Sequence, residues 1–289
     1  MSAISPDKES AAVECYGASQ PGDAVVPQIL RSLWAYRGLV ASLVRRDFQL
    51  RSVRAAWGSL WLVVQPAIQI LIYSVVFAEV LRAKLPGSND RLAYGLYVCS
   101  GLITWNYFAE IVVRSQTLFL DHAHLLKAIR FPRSTLPIAL FASATLNFAA
   151  VAGVLLLALL LLGRWPGSLL VSAVPLLGLQ GLLGLGLGVL AGTLNVFFRD
   201  VGHAMGIVLQ FWFWLTPIVY PLEVVPAPLR GLLQWNPMLH LVSGCQAIVV
   251  DQRAPEWSGV AWVAALCVAV GLVAWRVFRK LSPDLVDEL

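Results

Sequence analysis

No formal charge falls between Ser168 and Phe198, and this uninterrupted run constrains the chain more than any other feature. A helix needs roughly 20 mostly apolar residues to cross the hydrocarbon core of a bilayer. The run is long enough to cross with some tilt. Five further stretches read the same way: 61–81, 94–113, 137–162, 205–220 and 257–278. The second carries Asn106 and Glu110 near its end, and 205–220 is rather short. All are continuously apolar rather than alternating, which selects helices over a barrel. Charged residues make up 13% of the chain and hydrophobic residues 58%, where a soluble domain carries about 25% charged residues. So few charges leave much of the surface for lipid. The expected fold is an all-α integral membrane protein with six transmembrane helices, at 61–81, 94–113, 137–162, 168–198, 205–220 and 257–278.

The connections give an orientation. With the N-terminus in the cytoplasm, Arg82, Lys84, Arg91, Arg164, Arg230 and Arg253 face outward, and the other fifteen of the twenty-one basic residues face inward. The positive-inside rule then predicts that both termini are cytoplasmic. The net charge of +5 does not indicate nucleic acid, because the basic residues sit between apolar runs and form no long stripe. Four widely spaced cysteines form no Cys-x-x-Cys pair, so no zinc or thioredoxin-like motif is supported. Residues 1–30 are polar and mixed in charge, lack the pattern of a secretory signal, and read as a disordered cytoplasmic tail. Residues 281–289 form a second cytoplasmic tail.

Between the tail and the first span, 31–56 reads as an amphipathic helix lying on the membrane surface. Leu33, Tyr36, Val40, Leu43 and Val44 share one face, while Arg37, Arg45 and Arg46 lie mostly off it. Trp57 and Trp61 then mark the interface, and 57–280 forms the membrane domain. After the second span, Leu118, His122, Leu125 and Ile129 fall on one helical face, with Lys127 and Arg130 in the last turn and Phe131-Pro132 as the stop. This predicts a short amphipathic cytoplasmic helix. Asp121, His122 and His124 invite a metal or acid–base reading, but histidines two apart point to different helix faces. They read as polar loop residues, and no metal site is expected. In the fourth span, Gly184, Gly188 and Gly192 repeat every four residues and form a flat face for helix packing. From Leu215 onward, Pro217, Pro221, Pro226, Pro228 and Pro237 forbid one long helix. Residues 221–250 remain too apolar for a free loop, so they read as half-helices re-entering the outer leaflet. Aromatic residues cluster at Trp105, Tyr107 and Phe108 and again at Phe211, Trp212, Trp214 and Tyr220. Belt and core roles explain most aromatics in a membrane protein; these seven are also candidates to line a channel, where aromatic faces can stack on sugars.

Several segments in order resemble the ABC-2 type permeases, in particular the branch that exports O-antigen, teichoic acid, capsule and related lipid-linked polysaccharides. They are Arg46-Asp47-Phe-Gln-Leu-Arg51 with Trp-Gly-Ser-Leu-Trp61 and Gln65-Pro66, then Gly101-Leu-Ile-Thr-Trp105-Asn-Tyr-Phe108, then Leu126-Lys-Ala-Ile-Arg130-Phe-Pro-Arg133. Asn195-Val-Phe-Phe-Arg199-Asp200, Thr216-Pro217-Ile-Val-Tyr220-Pro221 and Asn236-Pro237-Met238 complete the set. The likeness runs from about residue 40 to 275. It departs at the first-span entry, where Val53-Arg-Ala-Ala stands in place of the family's frequent Tyr and Leu-Gly. The resemblance implies a homodimer of permeases in the bacterial inner membrane, served by two copies of a separate ABC ATPase that binds ATP and Mg. This chain carries no Gly-x-x-x-x-Gly-Lys-Ser/Thr phosphate loop, so it is expected to bind no cofactor and to perform no catalysis itself. By the same resemblance, Arg46, Asp47, Arg51, Lys127, Arg130, Phe131 and Arg133, with Arg199 and Asp200, belong near the ATPase coupling surface. Lipid-linked glycan and membrane lipids are the other expected partners. The competing readings are an ABC-2 exporter of a small hydrophobic drug or lipid, and a membrane-embedded glycosyl- or acyltransferase.

Overall fold

The computed structural model describes residues 37–52, 61–76, 91–128, 133–282 and 288. Residues 1–36, 53–60, 77–90, 129–132, 283–287 and 289 lie outside the described residues, and with them most of both tails, the start of the expected surface helix, the end of the 61–81 span, and Ile129, Arg130, Phe131 and Pro132. The architecture is all-helical. In chain order the helices are α1 (Arg37–Ser52), α2 (Trp61–Val75), α3 (Arg91–Asp121), α4 (Ala123–Ala128), α5 (Thr135–Leu161) and α6 (Leu170–Phe197). They continue with α7 (Asp200–Leu215), α8 (Ala227–Leu233), α9 (Pro237–Gln246) and α10 (Trp257–Leu281). A 3-10 turn (Gly167–Leu169) leads into α6, and a π-helical turn (Ala247–Asp251) follows α9. Among the described residues, four stretches are long and apolar enough to cross a membrane: Leu92–Asp121, Thr135–Leu161, Gly167–Phe197 and Trp257–Leu281. Together with the apolar composition they make the chain an all-α integral membrane protein. α2 and α7 are shorter, at 15 and 16 residues.

Helix ends follow local chemistry. α5 stops where Gly163 takes a left-handed backbone (φ 71°), and Arg164 N donates to Leu159 O at 2.8 Å. Glycine adopts that conformation without a Cβ penalty. α7 stops at Leu215 because Thr216 precedes Pro217, and a residue before proline is pushed out of helical backbone; Thr216 is extended, with ψ 129°. α9 starts with Pro237 at its first position and Asn236 as cap, the Asn236 side chain accepting from Met238 N at 3.0 Å.

The sequence places the end of its second span near Val113. In the structure α3 runs on through Arg114, Ser115 and Gln116 to Asp121. Charge ends a hydrophobic stretch but not a helix, since the backbone ladder continues wherever the polar side chains find partners. Leu118 therefore belongs to α3, and α4 is a separate six-residue helix after a turn at His122.

α3 is the hub. It packs along α6, and also against α2, α5, α7 and α9. The approach to α6 is close because that face of α6 is glycine. A Cβ at Gly184 would lie 3.3 Å from Ile111 Cβ, one at Gly188 would lie 2.5 Å from Ser115 Cβ, and one at Gly192 would collide with the Ser115 carbonyl oxygen. Without a hydrophobic drive between helices in lipid, such backbone contact is a main source of helix association. Gly178, by contrast, opens onto free space. Gly192→Ala is expected to push α3 and α6 apart and to cost about 1–3 kcal/mol, as overpacking does. Gly178→Ala should be neutral or stabilising by about 0.5–1 kcal/mol, the helical advantage of alanine. Thermal unfolding in detergent of the two variants side by side checks both signs.

Candidate functional site

One end of the bundle gathers the residues that the sequence singles out for coupling. A core cluster there joins Leu43 of α1, Leu118 and Phe119 of α3, Leu126 of α4, Leu136 and Leu140 of α5, Val196 of α6 and Phe278 of α10. Around this cluster sit the polar groups. Arg46 on α1, Lys127 on α4, and Arg199 and Asp200 at the turn between α6 and α7 are exposed. Arg133 is half-buried, and its Nη1 donates to Ser282 Oγ at 2.8 Å, tying the start of α5 to the end of α10. The backbone of Arg51 lies in the last turn of α1. The turn after α6 is held from within by Asn195, which is 4% exposed. Its Nδ2 donates to Gln116 O at 2.9 Å, and its Oδ1 accepts from Gly202 N at 3.0 Å. One side chain thus joins α3, α6 and the first turn of α7.

Asp47 behaves differently from its neighbour Arg46. It turns inward and meets Arg114 Nη2 at 2.9 Å, and Ser143 Oγ donates to the same carboxylate oxygen. Arg114 Nη1 contacts Glu110 Oε1 at 3.1 Å, and Asn147 Nδ2 donates to Glu110 Oε2 at 2.7 Å. This network links α1, α3 and α5. In the sequence Glu110 is only a charge near the end of the second span; the members of the network lie up to a hundred positions apart, so no local pattern exposes it. The three charged side chains are roughly a quarter exposed (20–28%), so solvent screens the pairs, and each contributes on the order of 1 kcal/mol or less.

Asp121, His122 and His124 do not converge. His122 Nδ1 lies 2.9 Å from Leu118 O, which makes it a donor that caps the end of α3. Among the described residues, no three His, Cys, Asp or Glu side chains gather as a metal site would require.

The aromatics divide into two groups. Trp105, Tyr107 and Phe108 are at most 5% exposed and form the core. Trp105 and Phe108 lie 5.6 Å apart, and Trp212 meets Phe108 edge-on at 5.3 Å. Tyr107 meets Phe148 in a tilted pair with ring centroids 4.6 Å apart, and its hydroxyl bonds Thr145 Oγ1 at 3.0 Å. In this conformation those three offer no face to a passing molecule, unlike the channel role that the sequence suggests. Phe211 and Trp214 are 67% and 60% exposed. With Val208, Leu215 and Leu232 near Phe211, an apolar groove of about 390 Å³ opens between α7 and α8.

The irregular backbone just after α7, residues 216–221, is buried or half-buried, and its carbonyls therefore need donors. Tyr94 Oη donates to Val219 O at 2.7 Å, and Tyr97 Oη reaches Pro217 O at 3.1 Å and Tyr220 O at 3.2 Å. Gln246 Nε2 of α9 approaches Ile218 O at 3.4 Å. Tyr220 turns its own hydroxyl back to Trp214 O at 2.7 Å. Asn236 adds a further tie, accepting from Trp212 Nε1 at 2.8 Å and donating to Thr216 Oγ1 at 3.0 Å.

Helices packed around a glycine-faced pair, a proline-broken segment on one side and a cluster of basic residues at one end describe a transport domain more readily than a catalytic one. The chain belongs to the ABC-2 type transporter family, which residues 38–250 match. An O-antigen export system permease protein RfbA of Myxococcus xanthus is 28% identical over 264 residues, spanning 91% of this chain and 99% of that protein. One from Klebsiella pneumoniae is 27% identical over 246 residues, spanning 84% and 92%. A polysialic acid transport protein KpsM of Escherichia coli is 21% identical over 241 residues, spanning 83% and 92%.

Tyr97→Phe removes the one hydroxyl donor that lies within reach of the Pro217 and Tyr220 carbonyls while keeping the ring. A loss of about 1–3 kcal/mol is expected, the cost of a buried carbonyl left without a partner. Thermal unfolding in detergent, wild type beside variant, measures it.

Proposed function

We propose that this chain is the permease subunit of an ABC exporter that carries a lipid-linked polysaccharide from the cytoplasm across the bacterial inner membrane. The observation that carries the reading is the near full-length similarity to O-antigen export permeases, reinforced by similarity to a polysialic acid transport protein. Two copies of the chain surround the path, and two copies of a separate ATPase bind ATP and Mg and supply the work. The chain itself is not an enzyme. It crosses the membrane six times with both termini inside; α2 and α7 lie in two of the crossings, and α8 and α9 re-enter from the outside. The end that bears Arg46, Lys127, Arg133, Arg199 and Asp200 faces the cytoplasm and receives the ATPase; the family resemblance assigns Arg51, Arg130 and Phe131 to the same contact. The exposed rings of Phe211 and Trp214 are the aromatics best placed to meet a glycan. Their flat apolar faces suit the apolar faces of pyranose rings.

Deletion of the gene in its host should leave full-length glycan on its lipid carrier at the cytoplasmic face, with none at the cell surface. Normal surface glycan would redirect the reading to a small hydrophobic drug or lipid as cargo. A missing or chemically altered glycan would redirect it to a transferase. Docking is tested separately: Arg46→Glu combined with Lys127→Glu should reduce ATPase co-purification at least about ten-fold, since like charges juxtaposed at an interface cost several kcal/mol. Unchanged co-purification removes these two residues from the docking surface.

A further inference from the structure

The network around Arg114 does something the exposed basic residues do not. Arg114 spans two carboxylates on two elements, with Asp47 of α1 at 2.9 Å and Glu110 of its own helix at 3.1 Å. Each carboxylate is also fixed from α5, Asp47 by Ser143 Oγ and Glu110 by Asn147 Nδ2 at 2.7 Å. A guanidinium is a rigid planar fork, so it holds both partners only at one mutual position. Sliding α1 along α5 by a single residue, about 1.5 Å, would strain the contacts to both α3 and α5. α1 is an amphipathic helix outside the long apolar stretches, so these polar contacts matter more to its placement than they would for a buried span.

α3 then carries position further without a break. Arg114 lies six residues beyond Phe108 on one continuous helix, about 9 Å along its axis, and Phe108 meets Trp212 of α7 edge-on at 5.3 Å. One residue further along α3, Ser115 is pressed against Gly188 and Gly192 of α6. A displacement of α1 that is held by Arg114 therefore reaches α6 and α7 through packed, close contacts.

We propose that Asp47, Arg114 and Glu110 form a latch that makes α1 and α3 move as one body, so that Arg114 is a positioning residue for transport. Asp47 accordingly acts within the permease, and docking of the ATPase is left to the exposed residues beside it. The proposal rests on the permease reading for its consequence in export, but the latch itself is read without any cargo.

Two measurements on the permease in complex with its ATPase decide it. The first places nitroxide labels at Arg45 on α1 and Asp121 at the end of α3, both exposed, and records their distance distribution without nucleotide and with trapped ATP. A single narrow distribution common to both states is expected, and it should broaden in Arg114→Met. A wild-type distance that changes with nucleotide shows α1 leaving the bundle and overturns the latch, as does an Arg114→Met distribution like the wild type. The second compares export with ATP turnover. Arg114→Met and Asp47→Asn should each lower surface glycan at least about five-fold, the low end of a coupling between sites, while ATP hydrolysis and ATPase co-purification persist. Asp47→Glu keeps the carboxylate and should restore most export, and the double variant should be no worse than the poorer single one. Loss of co-purification together with export would make Asp47 a docking residue and overturn the proposal. If deletion of the wild-type gene leaves surface glycan unchanged, the permease reading fails while the distance measurement still judges the latch.

Discussion

The close approach of α3 and α6 at Ser115 is the contact on which the rest depends. Gly188 and Gly192 let the backbone of α6 reach the backbone of α3, with the Ser115 hydroxyl enclosed and without a hydrogen-bond partner. Leaving that group unpaired costs free energy, and a larger side chain on either helix would open the interface. Everything else is hung on this pair. α5 and α2 pack on α3, α10 packs on α6, and α9 wedges against both. A change in the α3–α6 spacing would move each of these elements together.

Polar side chains inside this apolar bundle reach main-chain carbonyls of neighbouring elements, both within helices and along the extended segment after α7. Gln180 of α6 donates to the Thr104 carbonyl at 2.7 Å, Asn195 to the Gln116 carbonyl, and Tyr94 and Tyr97 to the extended segment after α7. Each bond fastens a side chain of one element to the main chain of another. Such bonds in membranes contribute only about 0.6–2 kcal/mol, yet they are directional where dispersion is not. They fix the register of helices that apolar contact alone would let slide.

Periodicity and composition made the helical membrane architecture readable, because lipid leaves a spanning chain few options. The glycine spacing in the fourth span put one flat face on one side of α6, and that face meets α3. The proline run between Pro217 and Pro237 likewise announced a broken segment, and the structure shows short helices there. What stayed hidden was which way side chains point. Trp105 and Trp214 look alike in a linear reading; one is 5% exposed and the other 60%, because only one of them sits on the α3 face that α7 and α9 cover. Asp47 sits beside Arg46 in a basic helix, and nothing nearby reveals that its partner is Arg114, sixty-seven positions on. Helix length misled for a related reason: hydropathy senses where charge begins, whereas the helix ends only where its backbone does.

Charge at that end of α3 then has a clear physical logic. An isolated ionised side chain at the edge of hydrocarbon is expensive, and Glu110 and Arg114 fall one turn apart on a helix whose earlier turns are buried. Pairing them with each other lowers the cost but leaves an uneven count, because Arg114 still has donors to spare. Asp47 supplies the second carboxylate, and it does so from a helix outside the apolar stretches. Ser143 and Asn147 then fill remaining acceptor positions from α5. The need to satisfy one arginine therefore calls a surface helix to a defined place on the bundle. The same requirement makes that helix hard to shift without taking α3 along.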